Sequence, residues 1–402
     1  MTMKRECSNG WLMSYLEMNE GQESPPRFHI WVGVSILSAV LRRNVWLDRG
    51  HFILFPNLYT VLVSASAECH KSTAVKKGKE LLVEANASAR SDSERTNIFA
   101  QKLTPQALLH FLAQKSHAQG IAICEELTTF LDQDSIRNGM VPLLLELYDD
   151  PKGEWTYETI TRDKDVLVDP SICLLGATTP TALKKSFPAN TIGEGLISRI
   201  NFVVGDTPGE PHAHPKPPPG YVELRRHLIA DLTRVQELYG GFRWGEGAAE
   251  WYEEWYNNNF IRSGDCPLPA PYWTRRRDFL LKLAMIISVS HEDTLELTVP
   301  YLEVALRILK DNEKYVPQVE QGIKLTDFSS VADQVYNIIE ANKEITHSDL
   351  FRKVAYYMED GAATFNSIIQ TLTEQGMITV YVSDKGHGGR IYKANPPLEN
   401  VQ

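Results

Sequence analysis

Short apolar runs alternate with longer amphipathic segments between residues 51 and 206, the pattern of a parallel α/β sheet. Residues 1–50 instead have helical apolar spacing, which Pro25 and Pro26 divide into two helices. The chain is therefore predicted to have an α/β core preceded by a helical N-terminal region. The predicted strands of the core are Tyr59–Val63, Gly120–Cys124, Ser171–Leu175 and Ile200–Val204.

Three further parts are predicted after the core. Residues 207–220 are rich in proline, which indicates a semi-rigid, solvent-exposed linker. Residues 221–325 show helical spacing without strand alternation and are predicted to be a helical lid. Residues 326–402 contain three helical segments followed by two short strands, Ile378–Val382 and Arg390–Lys393. This is the order of a winged helix-turn-helix domain.

Composition narrows the class of protein. The 402 residues are 43% hydrophobic and 23% charged, as expected of a globular protein that is not disordered. The net charge of −10 disfavours a protein that coats nucleic acid over its whole surface, but it permits a local basic channel. The five cysteines form no C-x-x-C pair, so we expect neither a zinc site nor a disulfide framework. We expect a cytoplasmic protein without a signal peptide or membrane span.

The most informative chemistry follows the first predicted strand of the core. Residues 65–73 lie where a phosphate-binding loop has the pattern G-x-x-x-x-G-K-[ST]. Lys71 is placed to bind the β- and γ-phosphates of ATP, and Ser72 to bind Mg²⁺. Ala65 and His70 occupy the two glycine positions, so an ordinary strand–turn–helix is the alternative. The candidate nucleotide-binding residues here are Ala65, Ser66, Ala67, Glu68, Cys69, His70, Lys71, Ser72 and Thr73.

Two further predicted strands end in polar residues of the same kind of site. Glu125 and Glu126 follow Gly120–Cys124; the first is predicted to hold Mg²⁺ and the second to activate the attacking water. Their alternative is a solvated acidic pair at a strand–helix junction. Thr178 or Thr179 ends a strand expected between the other two and would sense the γ-phosphate. Alternatively, Thr179 only caps the next helix.

Arginines supply two more candidates. Arg199 stands immediately before a predicted strand, where an arginine finger would reach the γ-phosphate of a neighbouring subunit. Its alternative is a surface arginine before an edge strand. Arg275, Arg276 and Arg277 precede a lid helix, and one of them, with Arg277 as the candidate, is predicted to be a second nucleotide sensor. A solvated basic turn is the competing interpretation.

Two segments are candidate DNA-binding elements. Residues 153–168 predict a hairpin whose Arg162 and Lys164 would contact DNA phosphates in the pore of a ring. The alternative is an ordinary exposed hairpin. In the C-terminal domain, Lys385 and Arg390 lie in the predicted wing and would contact duplex DNA. Protein contacts are the alternative there.

From about Ser24 to Asn312, these motifs resemble the AAA+ ATPases. The likeness is to the helicase-like proteins of phages, plasmids and other mobile elements, related to the superfamily-three and MCM helicases. The chain departs from the family where glycines are expected, at Ala65, Glu68 and His70. The segments that carry the resemblance are Pro56–Tyr59, Lys71–Thr73, Leu103–Leu108, Leu147–Asp149, Thr178–Pro180 and Gly195–Arg199.

The resemblance implies an AAA+/RecA-like P-loop core with a helical lid and a C-terminal winged helix. It implies a hexameric ring that uses ATP and Mg²⁺ to move along single-stranded DNA during replication of a mobile element. Priming would need a separate primase, because the chain shows no primase motif. Two other functions stay open. One is a nucleotide-binding scaffold or helicase loader without hydrolysis; the other is a DNA-binding regulator whose ATPase-like core only sets the oligomeric state.

Overall fold

In the computed structural model the chain divides into two units, Met1–Gly322 and Ile323–Gln402. Each unit has its own core of buried apolar side chains. The structure describes residues 5–65, 69–99, 102–149, 151–159, 162–186, 195–205, 209–319, 327–354, 362–382 and 390–395.

The larger unit begins with two helices, α1 (Trp11–Met18) and α2 (Pro26–Leu41). A proline opens α2, and it is tolerated there because the first turn of a helix has no partner for that N–H group. Helix α2 has buried apolar or small residues on nearly all of its faces, so it is a core helix. It packs against the central sheet. Two short antiparallel strands follow, β1 (Val45–Asp48) and β2 (Ile53–Leu54).

The core then alternates strands and helices. All four predicted strands are present, together with a fifth, β4, which has three residues, the first of them polar, and therefore shows no apolar run. The elements in chain order are β3 (Tyr59–Val63), α3 (Lys71–Ser88), β4 (Asn97–Phe99), α4 (Pro105–Ala113), β5 (Gln119–Cys124), α5 (Leu127–Phe130), α6 (Gln133–Arg137), α7 (Met140–Tyr148), β6 (Glu154–Thr159), β7 (Arg162–Val168), β8 (Ser171–Thr178), α8 (Pro180–Ser186), a 3₁₀ turn (Ile197–Arg199) and β9 (Ile200–Val204).

Five of these strands form one sheet in the order β4-β5-β8-β3-β9, and all neighbours are parallel. The fold is thus an α/β fold. After β3 the chain continues to β4 at one edge of the sheet, whereas after β8 it continues to β9 at the other edge. The loops that leave these two neighbouring strands therefore diverge. In open parallel sheets, the crevice at such a divergence is the usual place for a ligand.

A β-hairpin is inserted between α7 and β8, as the sequence predicts. Strands β6 and β7 pair antiparallel, with Glu154 opposite Val168 and Thr159 opposite Arg162. The backbone of Arg162 and Lys164 belongs to β7, but their side chains lie outside what the structure describes.

A helical region completes the unit. Three two-residue strands within it pair with β1 or with each other, and they are too short to show alternation in the sequence. None of the helices in the described ranges is both long and apolar enough to cross a bilayer. The elements are α9 (Tyr221–Gln236), β10 (Gly240–Gly241), β11 (Arg243–Trp244), α10 (Ala248–Asn258), α11 (Ala270–His291), β12 (Glu296–Leu297) and α12 (Val299–Glu313).

The described residues of the smaller unit form three helices and a three-stranded antiparallel sheet in the order β13-β15-β14. Its core contains Phe365 and Tyr392, both almost fully buried. Of the predicted wing residues, Arg390 is exposed at the start of β15, whereas Lys385 lies outside the described residues. The elements are α13 (Asp327–Asn342), β13 (Glu344–Thr346), α14 (His347–Val354), α15 (Ala362–Glu374), β14 (Ile378–Val382) and β15 (Arg390–Ala394).

Candidate nucleotide-binding site

The loop between β3 and α3 keeps a glycine-like conformation at its end. His70 precedes the first residue of α3 and has φ +46° and ψ +37°, in the left-handed region. In residues other than glycine this conformation costs roughly 1–2 kcal/mol of free energy. The chain path is therefore the one that a glycine at position 70 would take. Ser66, Ala67 and Glu68 lie outside the described residues.

Lys71 opens α3 with its side chain folded over the loop. It is only 8% exposed, and its Nζ donates a hydrogen bond to the carbonyl oxygen of Ala65 at 3.1 Å. The ammonium group is thus held at the backbone of Ala65, beside the N-terminus of α3. Helix N-termini attract anions, so a phosphate at this position would meet both the helix dipole and the lysine.

Ser72 connects this loop to the end of β5. Its Oγ donates a hydrogen bond to the backbone carbonyl of Glu125 at 3.3 Å, although the two residues are 53 positions apart in the chain. A hydroxyl and a carboxylate are oxygen donors of the kind that Mg²⁺ prefers, with water and phosphate oxygens completing the shell. The residues present therefore fit Mg²⁺. The Glu125 carboxylate also lies 3.9 Å from Nζ of Lys79, which faces it from α3.

Glu126 stands beside this pair. Its carboxylate is exposed and accepts a hydrogen bond from Oγ1 of Thr128 at 3.2 Å. It lines a cavity of about 210 Å³ together with Lys79 and Glu125. An exposed carboxylate at such a place is able to accept a proton from a water molecule. The neighbouring thiol does not compete for this role, because burial raises the pKa of Cys124 to about 12.

The two threonines at the end of β8 lie next to β3, since Thr178 is level with Val63. Thr178 is fully buried, and its Oγ1 donates to the carbonyl of Thr179 at 3.4 Å. Thr179 accepts a hydrogen bond from the backbone N–H of Ala182 at 3.1 Å. In this conformation Thr179 therefore caps α8, and a contact with a γ-phosphate would require its hydroxyl to exchange partners.

Arg199 lies at the amino-terminal ends of the strands, whereas the Lys71 loop lies at their carboxyl ends. It precedes β9, whose first residue is level with Tyr59 at the start of β3, whereas the Lys71 loop follows the end of β3. Its guanidinium forms a bidentate pair with Asp149, with Nε–Oδ1 at 3.0 Å and Nη2–Oδ2 at 2.5 Å. Nη1 also donates to the carbonyl of Gly195. Within one chain, Arg199 is thus remote from the candidate phosphate site.

The three arginines lie inside α11, whose first residue is Ala270, and not before the helix as the sequence predicts. Their side chains have different surroundings. Arg275 lies near Arg199, and burial together with that positive neighbour lowers the pKa of Arg275. Arg276 is buried and pairs with Glu313 at 2.5 Å. Arg277 donates to the hydroxyl of Tyr256 at 2.7 Å. The predicted second sensor, Arg277, is therefore bound to an aromatic residue of α10, and Arg275 is the one beside Arg199.

A second cavity, of about 400 Å³, adjoins the first turn of α3 and was not foreseen from the sequence. One wall is residues 209–220, the proline-rich strap, which is largely exposed, as predicted, but anchored. The N–H of Gly209 donates to the carbonyl of Glu23 at 2.8 Å, and the N–H of His212 to its carboxylate at 3.3 Å. Backbone contacts of this kind leave no pattern in a sequence. The cavity is lined by Met18, Glu20–Ser24, His70, Thr73, Lys77, His212, Pro215–Pro218 and Tyr221.

No protein-family model matches the chain, and no curated protein matches its sequence.

Proposed function

We propose that this protein is a Mg²⁺-dependent ATPase that assembles into a homo-oligomeric ring and moves along DNA. The observation that carries the proposal is the hydrogen bond between Ser72 and the backbone of Glu125, next to the buried Lys71. It joins two motifs that the sequence separates, and it does so at the divergence of β3 and β8. A lysine, a hydroxyl and two carboxylates at that point are the groups that phosphoryl transfer to water requires.

Each group has a role in hydrolysis. Lys71 and the N-terminus of α3 bind and neutralise the β- and γ-phosphates. Ser72 and Glu125 hold Mg²⁺, which supplies charge neutralisation for the phosphate oxygens when it is bound. Glu126 accepts a proton from the water that attacks the γ-phosphorus, as the bond from that phosphorus to the β–γ bridging oxygen breaks. The products are ADP and inorganic phosphate.

The position of Arg199 supports an oligomer. The five residues of β3 span about 16 Å at the usual rise of a strand, so the amino-terminal ends of the strands are remote from the Lys71 loop of the same chain. An arginine at those ends serves a nucleotide only if the nucleotide belongs to a neighbouring subunit. Arg275 is close enough to Arg199 for their charges to interact, and it would add a second positive charge near the same contact.

Movement along DNA is proposed from the resemblance and from the inserted hairpin. The hairpin β6–β7 carries Arg162 and Lys164 on its second strand, and a ring would bring several copies of it together. Repeated cations in a pore bind the phosphate backbone without sequence preference, in a salt-dependent manner. Because α15 has no basic residue, whereas β7 carries Arg162 and Lys164, we assign the DNA contact to the hairpin.

A specific observation favours a second candidate, a scaffold that binds ATP without hydrolysing it. His70 replaces a loop glycine, and its Nε2 lies 2.9 Å from a carboxylate oxygen of Glu23. A side chain and a carboxylate at the phosphate loop hinder the close approach of phosphate to the backbone. In a scaffold of this kind, Glu126 is dispensable.

ATP hydrolysis with and without single-stranded DNA tests the proposal. We expect wild-type turnover to increase with DNA and to be lost in Lys71→Ala and Glu126→Gln. Lys76→Ala is the matched control, because Lys76 is exposed on the same helix. Wild-type protein that binds ATP but does not hydrolyse it, with or without DNA, would replace the motor with the scaffold.

A further inference from the structure

We infer that the proline-rich strap forms the outer wall of a nucleoside-binding pocket that continues the candidate phosphate site. This pocket would hold the base and sugar of the same nucleotide and therefore rests on the proposed function. The cavity under the strap measures about 400 Å³. Small-molecule sites are roughly 300–1,000 Å³, so its size suits a nucleoside.

The cavity adjoins the phosphate loop, because the end of that loop and the start of α3 form part of the cavity wall. His70, the last residue of that loop, and Thr73, in the first turn of α3, belong to its lining. Lys71 and Ser72, the candidate phosphate and Mg²⁺ ligands, stand between them in the sequence. A nucleotide whose phosphates lie at Lys71 therefore has a cavity directly beside them for the rest of the molecule.

The chemistry of the walls suits a flat heterocycle attached to a sugar. Pro215, Pro217 and Pro218 of the strap, with Met18 and Tyr221, supply apolar and aromatic surface against which a base can pack. Glutamate, histidine and lysine side chains on the remaining walls supply partners for sugar hydroxyls and ring nitrogens. Mixed linings of this kind are typical of small-molecule sites.

Among the described residues, the hydrogen bonds that hold the strap to the rest of the site are made to Glu23. Its backbone carbonyl accepts from the N–H of Gly209, and one carboxylate oxygen accepts from the N–H of His212. The other carboxylate oxygen lies 2.9 Å from Nε2 of His70. A Cβ on residue 209 would approach the backbone of Glu23 to 2.9 Å, so only glycine allows this contact without a shift. Glu23 thus couples the nucleoside wall to the phosphate loop.

The proline content makes this wall stiff before any ligand arrives. Proline fixes φ and restricts the residue before it, so the segment loses little conformational entropy on binding. A preorganised wall contributes to affinity for the nucleoside and not for the phosphates. Substitutions in the strap should therefore weaken the binding of a nucleoside triphosphate and leave the binding of a ligand that has only the phosphates unchanged.

Calorimetric titration with Mg²⁺·ATP and with Mg²⁺·tripolyphosphate separates the two parts of the ligand. We expect two variants, Gly209→Val and the combined change of Pro215, Pro217 and Pro218 to serine, to weaken the affinity for ATP about tenfold or more. The affinity of both variants for tripolyphosphate should stay within about twofold of the wild-type value. Lys71→Ala should weaken both ligands. Pro219→Ser is the matched control, because Pro219 belongs to the strap but does not line the cavity.

Strap variants that weaken both ligands equally, or neither, would show that residues 209–220 are only a surface segment, and would leave the Lys71 site standing. If the wild-type protein binds neither ligand, the nucleotide site and the strap inference fail together. Thermal melting of each variant identifies one that does not fold. If Gly209→Val is such a variant, the proline-to-serine variant decides the question.

Discussion

His70 and Glu23 pair, Nε2 to Oε2 at 2.9 Å, where the loop between β3 and α3 enters α3. Both side chains are more than one-third exposed, so the pair itself contributes little to stability. Its importance is positional. The histidine occupies a left-handed backbone conformation, and its ring is bound to the residue that anchors the strap.

Replacing His70 with glycine should therefore relieve strain. We expect His70→Gly to match or exceed the wild-type free energy of unfolding, by up to about 1 kcal/mol, because glycine adopts positive φ freely. His70→Ala loses the same ring but keeps a Cβ, so it should gain nothing. Urea denaturation followed by tryptophan fluorescence measures both, since all eight tryptophans precede residue 323. A destabilised His70→Gly beside a neutral His70→Ala would contradict the strain argument.

Buried His29 should make the larger unit sensitive to acid. Burial, with Lys77 nearby, lowers the pKa of His29 from 6.5 to about 4. Between these values the unfolded chain binds a proton that the folded chain does not, so stability falls as the pH decreases through this range. The free energy of unfolding decreases by about 3 kcal/mol over the full range, at 1.36 kcal/mol per pKa unit.

His29→Phe isolates this effect. Neither ring nitrogen of His29 has a hydrogen-bond partner among the described residues, so phenylalanine should cost little at pH 7. The difference in unfolding free energy between variant and wild type should grow in favour of the variant from pH 7 to pH 4. Parallel pH profiles for the two proteins would show that His29 is protonated equally in the folded and unfolded states.

The buried pair of Arg276 and Glu313 should tolerate double replacement better than single replacement. Burial raises the pKa of Glu313, and Arg276 opposes that rise. Arg276→Met leaves the carboxylate buried without its cation, which typically destabilises by about 3–5 kcal/mol. Adding Glu313→Leu should recover part of this loss.

Denaturation of the two single variants and the double variant gives the coupling free energy of this pair. A double variant less stable than Arg276→Met would indicate that Glu313 stabilises the helical region without Arg276. Arg276 also lies over the rings of Trp255 and Trp273, so part of the loss reflects packing that methionine only partly replaces.

The sequence predicts the sheet because buried parallel strands are continuous apolar runs, and β3, β5, β8 and β9 are such runs. It cannot assign Arg275, Arg276 and Arg277, because consecutive residues of a helix point about 100° apart and only packing decides which direction faces Arg199. The strap is hidden for another reason: it is held by the backbone N–H groups of Gly209 and His212, and every residue other than proline has such a group.

Mixing two inactive variants shows whether the Lys71 site of one subunit is completed by Arg199 of the next. Lys71→Ala subunits keep Arg199, and Arg199→Ala subunits keep the nucleotide site, so each should be inactive alone. In an equal mixture, about one quarter of the interfaces join an intact site to an intact arginine. We expect recovery of about a quarter of wild-type ATP hydrolysis. Mixed oligomers that assemble but stay inactive would contradict it.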